Sequence, residues 1–383
     1  MKTSTNFKTT IAGLMILFFS QGAYSQTIIN GSFTYGGIMR TYRLYIPAMY
    51  NPATAVPLVF NLHGYGSNNT QQEVYGDFRP IADTAGFIIA HPNGTVDGNG
   101  NRFWNTFDNS SVDDLGFLSA LIDTISAGYN IDSNRIYSTG MSNGGFMSHD
   151  LACFLSPRIT AIASVTGSMM WSRLATCNPQ HPMPVMQIHG TADATVPYNG
   201  NAFFVHIDTL VKYWVNFNNC LPNPQIIQIP DIAPNDGCTA EQHIFGEGDQ
   251  ESSVELFKVL GGGHSWPGAP FNINITNMDF SASVEIWRFF RQFSLDNLTS
   301  IQTEQPDQPS FMIYPNPSRG LIHLKFDNDL PKTIVITNSL GQQVGQYTCT
   351  AAGFEVFLPA KGSYQIFVLS ENRHTWVNKL IIY

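Results

Sequence analysis

The residue best suited to chemistry in this chain is a serine between glycines. Gly140-Met141-Ser142-Asn143-Gly144 has GxSxG spacing, follows the apolar segment Arg135–Ser138 and opens the helical segment Asn143–Phe154. A strand–turn–helix segment of this kind lifts the serine hydroxyl above the edge of a sheet, and glycines leave room for the sharp turn. The pattern predicts that Ser142 is a nucleophile; the alternative is a serine in an ordinary turn.

A serine hydroxyl needs a base to remove its proton before it attacks a carbonyl. On such a turn, the acid and then the histidine follow the nucleophile along the chain. Asp193 ends the segment His189–Asp193 after an apolar strand, and His264 lies in the glycine-rich segment Gly261–Pro267 after the last strand. We therefore expect His264 to be the base and Asp193 to fix its tautomer.

The charge that develops on a substrate oxygen is stabilised by two backbone N–H donors, the oxyanion hole. Asn143, directly after the nucleophile, is expected to supply one of them. Tyr65, in the segment Leu62–Ser67 after an early strand, is expected to supply the other.

Three aromatic residues lie close in sequence to the predicted site. Trp104 precedes the turn that carries Ser142, Tyr198 follows Asp193 and Trp266 follows His264. Each is a candidate for the wall of a substrate pocket, and the alternative for each is core packing.

This chemistry needs no cofactor, and no two cysteines have the CxxC spacing typical of zinc sites, so no metal is expected.

Short apolar segments alternate with helical ones from residue 26 to residue 297. Several apolar segments are continuous, as in a parallel sheet covered on both faces. The candidate strands are Tyr42–Ile46, Leu58–Leu62, Phe87–Ala90, Arg135–Ser138, Ala161–Val165, Pro184–Ile188 and Val254–Val259, and the candidate helices are Asp114–Ser126, Asn143–Phe154, Phe204–Asn216 and Ser281–Phe293. This alternation predicts an α/β fold with a doubly wound, mostly parallel sheet.

Both ends of the chain depart from this pattern. Lys2 and Lys8 precede an apolar run and the small-residue site Ala23–Ser25, the layout of a cleaved secretory signal over residues 1–25. The run is about half the length of a membrane span, and no later stretch is long enough, so a soluble, exported protein is expected. Residues 298–310 contain two prolines and are predicted to be a linker. Residues 311–383 alternate strands with turns and predict a small β-sandwich.

The charge balance excludes several classes of partner. The formal net charge is −9 and charged residues make up 12% of the chain. We therefore expect no nucleic-acid partner and no basic patch for an anionic membrane.

The chain has five cysteines, and disulfides persist in exported proteins. Sequence alone does not fix their connectivity. Pairing of near neighbours, Cys153 with Cys177 and Cys220 with Cys238, is the preferred hypothesis and leaves Cys349 alone.

Several of these motifs together resemble a known family. Leu62-His63-Gly64, the block from Val112–Leu118 to Gly140–Gly145, and His189–Asp193 with Gly263-His264 are similar to the exported polyhydroxybutyrate depolymerase and feruloyl esterase group of α/β-hydrolases. The resemblance covers residues 30 to 293, and the long middle block is much more specific than GxSxG alone.

The resemblance implies an α/β-hydrolase fold and a triad of Ser142, Asp193 and His264, with Tyr65 and Asn143 forming the oxyanion hole. It also implies a disulfide at the positions of Cys153 and Cys177. The chain departs from the family at Tyr65, which replaces a commoner cysteine, and in the loop after Trp104-Asn105, which lacks the cysteines often found there.

The C-terminal part resembles the sorting domain of the type IX secretion system. The matching segments are Tyr314–Pro317, Ile336–Gly341, Gly362–Tyr364 and Lys379–Ile382. The resemblance implies export through the type IX machinery, as a partner, to the cell surface or beyond. A carbohydrate-binding domain is the rival interpretation, but Trp376 is the one tryptophan there.

Together these features predict a secreted serine hydrolase of carboxylic esters that works through an acyl-enzyme. Two substrate classes fit the resemblance: polyhydroxyalkanoate (hydroxybutyrate) esters, possibly polymeric, and hydroxycinnamoyl (feruloyl) esters. The alternatives are a serine peptidase of the same fold and a non-catalytic surface binding protein.

Overall fold

The computed structural model describes residues 26–107, 110–299, 311–326, 331–338, 342–370 and 375–383. The predicted signal, residues 1–25, and residues 300–310 of the predicted linker lie outside the described residues. The chain divides into two compact units between Ser300 and Ile301, and each is described by itself. Among the described residues, no helix combines the length and the apolar character needed to cross a bilayer.

The described part of the first unit contains strands and helices in alternation. The strands are β1 (Thr27–Tyr35), β2 (Ile38–Ile46), β3 (Val56–Leu62), β4 (Ile88–Pro92), β5 (Thr95–Val96), β6 (Arg102–Phe103), β7 (Ile131–Met141), β8 (Ala161–Val165), β9 (Val185–Gly190), β10 (Gln225–Gln228), β11 (Thr239–Phe245) and β12 (Val254–Leu260). The helices are α1 (Asn69–Tyr75), α2 (Arg79–Ala85), α3 (Asp114–Gly128), α4 (Asn143–Phe154), α5 (Trp171–Thr176), α6 (Ile207–Phe217), α7 (Ala282–Phe290) and α8 (Leu295–Thr299).

One large sheet organises this unit, in the strand order β1-β2-β4-β3-β7-β8-β9-β12-β11-β10. Neighbours from β4 to β12 are parallel, and antiparallel strands extend the sheet at both sides. The predicted α/β-hydrolase fold is confirmed. Because parallel strands end at one edge of a sheet, the loops after β3, β7, β9 and β12 open toward the same side.

Helices cover both faces of the sheet, as the continuous apolar strands predicted. Every residue of β3 is buried, and successive side chains point to opposite faces. Phe60 lies in the apolar cluster that contains Phe117 of α3 and Met147 of α4. Val59 lies on the other face, in the cluster that contains Ile286 of α7. The central strands are therefore locked between two apolar layers, which fixes the edge where the loops emerge.

The sequence pattern misses the strands at the sheet's margins. All four residues of β10 are exposed, and β1 alternates exposed with half-buried positions. Such strands carry no continuous apolar run to recognise.

The predicted linker begins too early, because Leu298 lies in α8 and is buried against the apolar cluster of α7.

The second unit consists of two antiparallel sheets. Its strands are β13 (Phe311–Tyr314), β14 (Leu321–Phe326), β15 (Lys332–Asn338), β16 (Gln343–Cys349), β17 (Gly353–Phe357), β18 (Gly362–Ser370) and β19 (Thr375–Ile382). One sheet has the order β13-β14-β17 and the other β16-β15-β18-β19. Ile322 and Leu324 from the first sheet share a buried cluster with Ile334 and Ile366 from the second. The predicted β-sandwich is confirmed.

The cysteines agree with one predicted pair and contradict the other. Cys153 and Cys177 form a disulfide, whereas Cys220 and Cys238 are buried thiols. Cys238 directly precedes β11, and Cys220 lies beside the far end of that strand, where the next residue donates its N–H to the carbonyl of Gly246. Seven residues of strand span more than about 20 Å, and a disulfide requires Cα atoms within about 7 Å. The hypothesis of a Cys220–Cys238 bond is therefore wrong.

The two buried thiols should resist alkylation in the folded protein. Burial raises the pKa of Cys220 to about 11 and that of Cys238 to about 12, so the reactive thiolate is scarce at pH 8. We expect iodoacetamide to label both only after unfolding, and non-reducing peptide mapping to find Cys153 joined to Cys177. A peptide joining Cys220 to Cys238 in the native protein would contradict this assignment.

Candidate active site

Ser142 occupies a strained turn between β7 and α4. Its φ is 54° and its ψ is −120°, a backbone conformation that non-glycine residues rarely adopt. Its N–H donates to the carbonyl of Val165 at 2.8 Å, and its carbonyl accepts from the N–H of Phe146 at 3.0 Å. These bonds to β8 and to the next turn of α4 hold the conformation. Such strain is concentrated at functional sites.

Glycines are required around this turn because the backbone of β3 is so close. A Cβ on Gly144 would lie 2.2 Å from the carbonyl oxygen of Leu62, and one on Gly140 would lie 2.7 Å from the same atom. Real Cβ atoms do not approach backbone this closely. Both glycines of the motif therefore let the first turn of α4 sit directly on the end of β3.

The structure brings Asp193 and His264 together across 71 residues. Nδ1 of His264 lies 2.8 Å from Oδ2 of Asp193. Oδ1 of Asp193 accepts the N–H groups of Thr195 and Val196, each at 2.8 Å. Burial by itself would raise the pKa of the Asp193 carboxyl. The hydrogen bonds from His264 and from the N–H of Val196 outweigh burial and lower that pKa. Asp193 is therefore an anion at neutral pH.

Ser142 and His264 line one cavity of about 450 Å³. Because Nδ1 of His264 is engaged by Asp193, its Nε2 is the nitrogen left to exchange a proton. The remaining wall comes from the segment Gly64–Ser67, from Met141, from three residues of α1 and from two residues of the loop after His264: Gln71, Gln72, Tyr75, Phe271 and Ile273.

The two predicted oxyanion donors lie beside Ser142. Asn143 is the first residue of α4, so its N–H has no partner within the helix. A Cβ on Gly64, the residue before Tyr65, would lie 3.4 Å from the Cβ of Ser142. The N–H of Gly66 donates to the carbonyl of Arg102 at 2.8 Å, and this bond fixes the loop. The hydroxyl of Tyr65 donates to Asp97 at 2.6 Å.

The side chain of Asn143 has a positioning role that sequence reasoning missed. Its Oδ1 accepts the N–H of Trp104 at 2.6 Å, and its Nδ2 donates to the carbonyl of Trp104 at 3.0 Å and to the hydroxyl of Thr106 at 2.8 Å. The loop after β6 is thereby tied to the start of α4. Because these partners are about 40 residues apart in sequence, no local spacing marks the interaction.

A buried ion pair holds the same part of this loop and was also missed. Asp114 is the first residue of α3. It is buried, accepts from Arg40 at 2.6 Å through one oxygen, and accepts the N–H of Asn105 at 2.8 Å through the other. Arg40 also stacks on the ring of Phe117, 3.7 Å from its centre.

The three aromatic residues proposed as pocket walls lie elsewhere, and that prediction is corrected. Trp104 and Trp266 are almost fully buried, and their indole N–H groups need partners inside the protein. Trp104 donates to the carbonyl of His63 at 3.0 Å, and Trp266 donates to Ser283 at 3.2 Å. Tyr198 is buried and donates to Asp208. All three are core residues.

The fold is that of an α/β-hydrolase. Residues 40–200 match the family model Esterase PHB depolymerase, and residues 312–383 match the model Secretion system C-terminal sorting domain. Both resemblances noted from the motifs are confirmed. The second match also confirms the expected location, at the cell surface or outside the cell.

Curated proteins similar to this chain include esterases at 26–27% identity. The bifunctional acetylxylan esterase/xylanase XynS20E of Neocallimastix patriciarum is 26% identical over 265 residues, covering 69% of this chain and 35% of the relative. Feruloyl esterase C of Emericella nidulans is 27% identical over 272 residues, covering 69% of this chain and 87% of the relative. The chain thus spans about a third of the first relative's length.

Among solved structures, the acetyl xylan esterase from Aspergillus awamori has a similar fold. The TM-score is 0.50 at 13% identity, with 69% of this chain and 99% of that chain covered. At this identity the likeness concerns the fold alone.

Replacing Gly144 by alanine tests the close approach of α4 to β3. The added methyl group would collide with the Leu62 carbonyl, so we expect Gly144→Ala to lower the free energy of unfolding by about 1–3 kcal/mol or more. Gly128→Ala is the matched control, because a Cβ on Gly128 has no neighbour within 4 Å. Urea unfolding measures both. Equal effects of the two substitutions would show that the approach is not a constraint.

Proposed function

We propose that the protein hydrolyses carboxylic esters through Ser142, His264 and Asp193. The observation that carries the proposal is the 2.8 Å bond between His264 and Asp193, at a cavity that also exposes the strained Ser142. A nucleophile, a base and an acid that orients the base are the three parts needed for acyl transfer. The esterase family model and the esterase relatives point to the same chemistry.

The proposed reaction has two halves. In the first, Oγ of Ser142 attacks the ester carbonyl while Nε2 of His264 takes the hydroxyl proton. The N–H groups of Tyr65 and Asn143 stabilise the resulting oxyanion. The carbon–oxygen bond to the alcohol then breaks, and the alcohol leaves with the proton held by His264. In the second half, His264 deprotonates a water that attacks the acyl-serine, and the free acid leaves as Ser142 regains its proton.

The cavity favours a bulky, flat acyl group. At about 450 Å³ it falls within the range of about 300–1,000 Å³ that takes a whole small organic molecule. Tyr75 and Phe271 stand in its wall with ring centres 5.1 Å apart, and the amide group of the exposed Gln71 adds a polar contact. Aromatic rings and an exposed amide suit a hydroxycinnamoyl group, which is planar and carries ring oxygens. We therefore propose feruloyl-type esters as substrates, ahead of hydroxybutyrate esters.

Ser142→Ala and Asp193→Asn test the catalytic assignment. We expect each to lower kcat for methyl ferulate by about 10⁴-fold with the fold retained. In Asp193→Asn the amide oxygen keeps the bonds from Thr195 and Val196 and turns the amide N–H₂ toward His264. Nδ1 of His264 must then accept a hydrogen bond from this amide. The imidazole proton therefore stays on Nε2, which can no longer act as the base. Circular dichroism checks the fold, and activity of either variant within tenfold of wild type contradicts the triad.

A substrate pair and one exposed aromatic residue test the acyl group. We expect kcat/KM for methyl ferulate to exceed that for a hydroxybutyrate trimer by at least about tenfold. Phe271→Ala should raise KM for methyl ferulate by up to about tenfold, since an aromatic pair contributes about 0.5–1.5 kcal/mol. Phe203→Ala is the control, because Phe203 is also an exposed phenylalanine but lies outside the cavity wall. The reverse substrate preference would favour the hydroxyalkanoate class.

We also propose that residues 311–383 act as an address for the type IX machinery and contribute nothing to catalysis. The described residues of the cavity all precede residue 300. A chain ending at Gln305 should keep its activity on soluble esters and fail to leave its native host. Assays of purified enzyme and of culture fluid test both halves, and loss of activity on methyl ferulate would place part of the site in the second unit.

A further inference from the structure

A chain of buried polar side chains lies beneath the proposed acid and is not used by the mechanism above. Its members are His149 on α4 and Gln187 and His189 on β9, all within 1% of complete burial. Polar groups buried to this extent are costly unless every hydrogen bond is made. The directions of their hydrogen bonds can be worked out from the partners that have a fixed role.

The carbonyl of Gly167 fixes the orientation of Gln187. A carbonyl oxygen only accepts, and Nε2 of Gln187 lies 2.9 Å from it. The second hydrogen of this amide nitrogen points to Nδ1 of His189 at 3.0 Å. Nδ1 of His189 must therefore be an acceptor. Oε1 of Gln187 accepts from Nε2 of His149 at 3.1 Å.

The carbonyl of Val196 fixes the other nitrogen of His189. Nε2 lies 2.8 Å from this oxygen, so Nε2 carries the hydrogen. His189 is thus neutral, in a single tautomer. Protonation would set Nδ1–H against the amide hydrogens of Gln187. Burial lowers the pKa of His189 and lowers that of His149 to about 4, in agreement with this hydrogen-bond pattern.

His189 reaches Asp193 in two ways. Its Nε2 is 3.5 Å from Oδ2, the same oxygen that His264 binds. Its bond to the carbonyl of Val196 also holds the residue whose N–H donates to Oδ1. The short turn that carries Asp193 is therefore attached to β9 through His189. Tyr198 covers the His189 ring edge-on, 6.0 Å away.

The other end of this row of buried polar side chains lies on α4, the helix that follows Ser142. His149 lies on α4, whose first residue directly follows Ser142. Gly167, which orients Gln187, packs against the same helix, because a Cβ on Gly145 would lie 3.1 Å from its Cα. The polar chain thus spans from the helix that carries Ser142 to the turn that carries Asp193.

We propose that His189 is a positioning residue that holds Asp193 in register with Ser142 through its Nε2–H donor. The proposal rests on the triad proposed above. It assigns no proton transfer to His189. Loss of the donor would let the Asp193 turn shift, and a shift of about 1 Å in a catalytic group costs about 10²-fold in rate.

Two isosteric substitutions separate the donor from the rest of the ring. A glutamine amide places its nitrogen near Nε2 of histidine, and an asparagine amide places its nitrogen near Nδ1. We expect His189→Gln to stay within about fivefold of wild-type kcat. We expect His189→Asn to lose about 10²-fold in kcat with KM changed by less than about threefold. His181→Asn is the matched control, because His181 is buried and bonds only to backbone carbonyls remote from the cavity.

Proton NMR supplies a readout that does not depend on turnover. The His264 Nδ1–H bonded to Asp193 should give a far-downfield resonance, identified by its loss in Asp193→Asn. We expect it to shift or broaden in His189→Asn and to persist in His189→Gln and His181→Asn. If His189→Asn is poorly folded, Gln187→Met, which removes the amide donor to Nδ1 of His189 together with the bonds to Gly167 and His149, should perturb the same resonance.

Equal losses in His189→Asn and His181→Asn, or an unchanged resonance in His189→Asn, would overturn the positioning role. A wild-type protein that hydrolyses no ester but shows a His189-dependent downfield resonance would overturn the proposed function and support the positioning role. The two proposals therefore fail in different ways.

Discussion

The near-contact between the first turn of α4 and the end of β3 is the constraint on which the site depends. No side chain fits between Gly144 and the Leu62 carbonyl, so the chain must turn sharply at Ser142. The turn forces a positive φ on a serine, at a cost of about 1–3 kcal/mol. The bond from the Ser142 N–H to Val165 and the intact helix after it offset this cost. The same proximity brings Ser142 against the segment Gly64–Ser67.

His63 and His91 act as neutral connectors in the interior, as His189 does. Burial lowers the pKa of His63 to about 4 and that of His91 to about 3, and each makes defined hydrogen bonds within the interior. His264 differs because it reaches the cavity and is paired with an anion. The distinction between a connector and a base thus comes from exposure and partner rather than from residue type.

The sequence predicts what is local and misses what is assembled from distant segments. The strand Ala161–Val165 and the helix Asn143–Phe154 are predicted to the residue because each is one continuous apolar or helical segment. The Asn143–Trp104 and Arg40–Asp114 contacts leave no trace in local spacing. Near-neighbour pairing of Cys220 with Cys238 failed for the same reason, since sequence distance ignores the extended strand between them.

The cavity wall shows this limit most clearly. Trp266 is closer in sequence to His264 than Phe271 is, yet its indole N–H needs a buried partner and the residue turns inward. Phe271 and Ile273 have no such need and stay at the surface beside the base. An aromatic residue near a catalytic histidine is therefore a poor guide to the pocket until its polar atoms have been assigned partners.

The helix that follows Ser142 is fastened at both ends, and this explains how the strain at its start is maintained. Its first turn is pressed on β3, and its last turn is bonded through Cys153 to Cys177. A loop of this length contributes about 3–4 kcal/mol in the loop-entropy model, and the bond persists outside the cell. Between these ends, His149 links the helix to Gln187 on β9. A covalent bond, a backbone contact and a row of buried polar side chains thus restrain one helix. Together they fix the position of Ser142, which follows β7, relative to Asp193, which follows β9.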